Sequence, residues 1–146
     1  MMLSSFIKSL KMYFHPENIP VFKIFGGEEN VVNIINDIEK NPEYNDGKLL
    51  INDKYLLPRK EKEDLMKLED VLGVYIRVHK TNYVIDRYNI VITNKYNESH
   101  WATYYPNEKD LLEKTMDVLV LKCKNAKFGY SNETLKHIND NLIKID

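Results

Sequence analysis

The sequence predicts a single α+β domain. Its centre is an antiparallel β-meander over about residues 72–105, with helices packed mainly on one face and a helix near each end of the chain. Three observations predict it. Leu72–Lys80 alternates with the period of a strand: Leu72, Val74, Ile76 and Val78 fall on one face, and Gly73, Tyr75, Arg77 and His79 on the other. Two more β-rich runs, Tyr83–Thr93 and His100–Tyr105, follow across short polar turns. Before and after this region, apolar residues recur at helical spacing. The 146 residues suit one domain that buries about two thirds of its unfolded surface.

The elements follow in order. Met1–Phe14 reads as a helix, with Leu3, Phe6, Ile7, Leu10 and Phe14 on one stripe. The short apolar run Ile19–Phe25 reads as a strand ended by Gly26-Gly27. Val31, Ile34, Ile35 and Ile38 mark an amphipathic helix, stopped at Asn41-Pro42. "GKLLINDKYLLP" reads as a hairpin turning at Asn52-Asp53. "RKEKEDLMKLED" reads as a short charged helix with Leu65 and Leu68 as its apolar contacts. Thr81-Asn82 is the expected turn after the first meander strand.

The second meander strand has a phase problem near Asp86-Arg87. Ile90 and Ile92 are even and Ile85 and Val91 odd, which predicts a bulge or burial on both faces. A two-residue turn would place Asp86 opposite Arg77 as a surface ion pair. Asn107 is the expected cap of a helix running through Leu111, Leu112, Thr115, Met116 and Leu119; for "VLVLKC" periodicity leaves helix and strand open. Ser131 caps a last helix with Leu135, Ile138, Leu142 and Ile145 on one face.

Composition narrows the function classes. Hydrophobic residues make 43% and charged residues 29%, as in ordinary globular chains rather than disordered ones. The formal net charge is -1, without the basic excess of a protein that grips phosphate backbones. Nucleic acid is therefore not the favoured partner. One cysteine, Cys123, excludes an internal disulfide framework and points to a reducing, cytoplasmic compartment. No apolar run is long enough to span a membrane. Abundant Asn, Ile, Lys and Tyr against three arginines suggest an A/T-rich genome, as in many phages, viruses and low-G+C bacteria.

No catalytic motif is present. Gly26-Gly27 lies between a run and a helix, but Glu28 and Glu29 follow and would repel a phosphate. His15 with Glu17, and His137 with Asp140, are pairs lacking a third ligand, so neither metal nor cofactor is expected. Cys123 sits in an apolar stretch, as a small buried hydrophobe would. His79-Lys80-Thr81 resembles one half of the H-x-[ST] pair of the two-histidine phosphoesterases. The second half would be His100-Trp101-Ala102-Thr103, one residue too long, with His100 and Thr103 on opposite faces of a strand. That resemblance covers three residues and implies no activity here.

The remaining signal is aromatic. Tyr75, Tyr83, Tyr88, Tyr96, Trp101, Tyr104 and Tyr105 lie on or beside the meander. Such side chains anchor protein interfaces. The expectation is a non-enzymatic protein-binding domain, of the inhibitor, immunity or accessory type carried by a phage, virus or mobile element. Its expected binding residues are Tyr75, Arg77, His79, His100, Trp101, Tyr104 and Tyr105. Two alternatives stand beside it: an RNA- or nucleotide-binding module, and a metal-independent phosphodiesterase or ribonuclease in which His79 and His100 act as acid and base on one face.

Overall fold

The computed structural model describes residues 19–58 and 61–145. The expected helix Met1–Phe14, the His15/Glu17 pair, Arg59 and Lys60 lie outside them. The fold is α+β, with two antiparallel-based sheets and four α-helices among the described residues.

Helix α1 spans Pro20–Phe25, where the short apolar run suggests a strand. The residues decide otherwise. Pro20 stands in the first helical turn, where its missing N–H is harmless, and Gly26 takes φ +80° as the left-handed C-terminal residue. Val21, Phe22 and Phe25 are then buried at helical spacing. Helix α2, Glu28–Lys40, buries Val31, Ile35 and Ile38, with Glu28 and Glu29 in the first turn where its dipole favours them.

The hairpin at Asn52-Asp53 is present, but it belongs to a sheet that the sequence discloses only in part. Strands β1 (Tyr44–Asn45), β2 (Leu49–Ile51), β3 (Tyr55–Pro58) and β4 (Met66–Lys67) pair antiparallel in that order. The expected helix over "RKEKEDLMKLED" is replaced by two single-turn 3-10 helices, Lys62–Asp64 and Leu68–Asp70, flanking β4. The reason is burial on two sides. Leu65 joins one core with α1 and α2, whereas Met66 and Leu68 join the other. A helix of this length could not divide those side chains between two layers; an extended chain does. The first sheet is thus sandwiched. Leu49, Ile51 and Leu56 face one core and Leu50 and Leu57 the other, which accounts for the unbroken apolar runs.

The meander is β5 (Val71–Thr81), β6 (Val84–Asn94) and β7 (Ser99–Tyr104), and β8 (Lys127–Phe128) adds in parallel to β5. Sheet order is β7-β6-β5-β8. Val74, Ile90, Ile92, Ala102 and Tyr104 face the main core, covered by the first sheet and by α3, Lys109–Lys122. "VLVLKC" is therefore helix through Lys122, with Leu119 and Cys123 buried; desolvation pushes the Cys123 thiol up to about 12, so it is an inert core group. A 3-10 turn, Pro106–Glu108, precedes α3, so the cap is not Asn107.

Helix α4, Asn132–Asp140, is capped by Ser131, whose hydroxyl accepts from Thr134 N–H at 3.2 Å. It ends before Leu142 and Ile145, and it buries Thr134 and Ile138 rather than Leu135. It lies on the second face of β5 at Gly73. A Cβ there would stand 2.5 Å from Ile138 Cδ1 and 3.0 Å from its Cγ1, so glycine permits the approach. Helix α4 thus adds a contact on the second face of the meander at Gly73.

Candidate functional site

Strands β5 and β6 are eleven residues each, about 36 Å long, whereas β7 has six. The last three-stranded row is Val78, Tyr88 and Tyr104. Beyond it no third strand pairs with the hairpin among the described residues, and it continues as an arm. Ile76 and Val78 lie on the face that carries Val74 and Ile90 into the core, yet they are 37% and 45% exposed. Val84 is 67% and Tyr83 99% exposed. The alternation of β5 therefore predicts the strand correctly but not burial. Its apolar stripe runs past the end of the core.

The tip is held by a specific set of contacts. The turn is Asn82-Tyr83, one residue later than expected, and both residues take positive φ, +52° and +67°. That is the backbone a two-residue hairpin turn requires. The expected irregularity is also present. His79 pairs with Arg87 and Lys80 with Ile85, so Asp86 is the extra, bulged residue. Its carboxylate accepts from Thr81 Oγ1 at 2.8 Å and lies 2.6 Å from His79 Nδ1. Those two hydrogen bonds hold the Asp86 carboxyl below the usual range. The Asp86–Arg77 pairing does not form: Arg77 stands opposite Asn89, and the arginine near Asp86 is Arg87, at 4.0 Å.

The expected binding residues divide between two faces. Tyr75, Val91 and Trp101 form one cross-strand row; Arg77, Asn89 and Thr103 form the next; His79 and Arg87 the third. Tyr75, Arg77, His79 and Trp101 thus share the face away from the main core, with Tyr75 packed edge-on to Tyr130 at 5.1 Å. Tyr105 follows β7, half-exposed. Lys48 Nζ lies 4.9 Å from its ring centroid and donates to Thr103 O and Glu108 Oε1 at 2.6 Å.

His100 and Tyr104 are corrections. Both point into the main core and are buried. His100 Nδ1 lies 2.6 Å from Asp64 Oδ1, each side chain 3% exposed or less, and His100 Nε2 has no hydrogen-bond partner among the described residues. Tyr104 donates its hydroxyl to Asp46, and burial first and this bond second raise its pKa far above the ordinary tyrosine value. His79 and His100 are not an acid–base pair. Their partners on β6, Arg87 and Ile92, are five residues apart, about 16 Å along the strand and on opposite faces.

At the opposite end of the meander, two adjoining clefts of about 600 and 540 Å³ share Glu69, Lys124 and Asn125. Their walls carry Lys54, Lys67, Lys95, Lys122, Lys124 and Lys127. Three of these ammonium groups are engaged, Lys95 with Asp70 at 3.0 Å, Lys122 with Glu43, and Lys127 with Glu133 at 3.4 Å. Sequence reasoning misses this basic wall because its lysines come from four separate stretches of chain. His137 lies there too, but its Nε2 is 2.7 Å from Asn125 O, and no metal-ligand cluster forms among the described residues. No helix among the described residues is long and apolar enough to cross a membrane.

Comparison of the chain with protein-family models, with characterised proteins and with solved structures finds no match.

Proposed function

We propose that this domain acts by protein–protein contact through the β5–β6 arm, without catalysis of its own. An inhibitor or accessory role fits such an organ. The observation that carries the reading is Tyr83. A left-handed backbone costs an ordinary L-residue about 1–2 kcal/mol, which glycine avoids. The chain instead places there an aromatic side chain, 99% exposed, without packing among the described residues that would repay the strain. Strain retained at an exposed aromatic is what a binding anchor leaves behind. Ile76, Val78 and Val84 extend the apolar surface from that tip toward the core.

Tyr83→Gly separates stability from function. The variant should be more stable than the parent by about 1 kcal/mol, read by urea unfolding. It should also lose a partner that the parent captures from host lysate, identified by mass spectrometry and confirmed as a purified binary complex. Capture of the same partner at unchanged affinity would overturn the reading.

A second reading, a module for phosphorylated ligands, is favoured by one observation: Lys54, Lys67 and Lys124 line the clefts without an ion-pair partner among the described residues. Its test is nucleoside triphosphate binding by calorimetry at rising salt. Affinity that falls steeply with salt supports it; no binding at low salt removes it.

A further inference from the structure

Strand β5 has two edges. One is paired with β6 from end to end. The other meets β8 only at Gly73 and Val74, where Gly129 N–H donates to Val74 O at 2.9 Å. The chain then turns away at Gly129, φ +98°. From Tyr75 to Thr81 the outer edge pairs with no strand among the described residues. Main-chain groups alternate sides along a strand. Because Val74 O faces β8, the N–H and C=O of Ile76, Val78 and Lys80 face outward as well. Such a row is a template for another strand.

The side chains beside that edge state what kind of strand it suits. Ile76 and Val78 offer an exposed apolar face. Arg77 lies on the other face, with Arg87 one strand further in, and Lys80 closes the row. The single carboxylate in this part of the arm, Asp86, is already bonded to His79 and Thr81. The arm is therefore basic in a chain whose net charge is -1. A second copy is a poor occupant, since antiparallel pairing centred on Arg77 would set that residue directly against its own copy, and any register joins two basic edges.

We propose that the open β5 edge receives an extended segment of a partner protein that alternates apolar residues with Asp or Glu. The segment adds as a fifth strand to the sheet. Its apolar residues meet Ile76 and Val78, and its carboxylates meet Arg77. The proposal rests on the protein-binding reading above and names the form of the partner.

The probe is a fluorescein-labelled synthetic peptide of alternating valine and glutamate, titrated against the full chain by anisotropy at low salt. Val78→Pro removes an outward N–H but leaves the ladder with β6, and should weaken binding by about tenfold or more. Val78→Ala keeps the N–H and should stay within about threefold of the parent. Arg77→Glu should weaken binding about tenfold through charge reversal. In the parent, amide exchange at Ile76, Val78 and Lys80 should slow when peptide is added, a readout that does not depend on a variant folding. No binding to the parent, no slowing of those amides, or equal binding by Val78→Pro and the parent would each overturn the proposal. A natural partner lost by Tyr83→Gly but retained by Val78→Pro would overturn strand addition while leaving the arm as the binding organ.

Discussion

Asp64→Ala is expected to cost about 3–5 kcal/mol, because it breaks a buried pair and leaves a histidine without its partner in the core. His100 Nδ1 stands 2.6 Å from Asp64 Oδ1, and Nε2 is already without a hydrogen bond among the described residues. Removing the carboxylate leaves the buried imidazole with no satisfied nitrogen, and desolvation is no longer offset. The pair also joins the 3-10 turn Lys62–Asp64 to β7, so its loss loosens the contact between the two sheets. Urea unfolding of Asp64→Ala measures the cost. The double variant Asp64→Val/His100→Phe should recover most of it, since apolar replacement of both partners is often neutral. A single-variant loss below about 1 kcal/mol would show that the pair does not hold the sheets. The arm lies at the other end of β6, so partner binding should survive in the double variant.

The second large effect is at Asp46. This side chain closes the β1–β2 turn through Oδ1, which accepts from Lys48 N–H at 2.8 Å and Leu49 N–H at 2.7 Å. Through Oδ2 it accepts from Thr115 Oγ1 at 2.7 Å and from the Tyr104 hydroxyl. Tyr44 OH lies 2.7 Å from Thr115 Oγ1 and extends the chain of bonds. One carboxylate thus ties the first sheet to β7 and to α3. Asp46→Ala orphans the hydroxyl of fully buried Tyr104, leaves buried Thr115 only its bond to Tyr44, and takes the acceptor from two turn amides; it should cost about 2–4 kcal/mol, at 1–3 per unsatisfied group.

The same network predicts behaviour in alkali. Burial first, and the bond to Asp46 second, raise the Tyr104 pKa above its ordinary 10.0. A raised folded-state pKa means that the folded chain holds the proton more tightly than the unfolded chain does. The associated stability is fully present below about pH 10 and is lost as pH rises above it, where the unfolded phenol ionises first. Tyr104→Phe should flatten the fall in stability between about pH 10 and 11.5. An unchanged slope would place the alkaline sensitivity elsewhere, Cys123 being the first alternative, since burial raises its thiol to about 12.

Much of the architecture was legible because it rests on period and punctuation. The helix at Val31–Ile38, the hairpin at Asn52-Asp53, the three meander strands, the bulge at Asp86 and the Ser131 cap all have local causes: spacing, a turn dipeptide, a phase slip, a hydroxyl three residues before an amide. The failures share a different cause. Pro20–Phe25 was too short for period to separate helix from strand, and only its Pro-first, Gly-last flanks told them apart. Leu65–Leu68 followed two cores that the sequence does not display.

The candidate site was legible as a set of residues but not as a surface. Alternation correctly put His100 and Tyr104 on one face of β7 and Trp101 on the other. Which face met the core depended on the first sheet and α3, elements distant in sequence. Asp64, the partner of His100, lay in a stretch expected to be a short charged helix. Tyr83 stood among the aromatics of the meander but not among the expected binding residues, because what singles it out is the combination of positive φ and full exposure.

By itself the sequence determined the class of fold, most of the strand and helix periods, the phase slip near Asp86-Arg87 and, with one cysteine, that no disulfide closes within these 146 residues. These depend on near neighbours along the chain. Tertiary structure alone decided where the core stops along β5, which edge of that strand stays open, and which polar groups are paired in the dark. Each is settled by contacts between residues tens of positions apart. Their energies depend on burial, which local pattern does not encode.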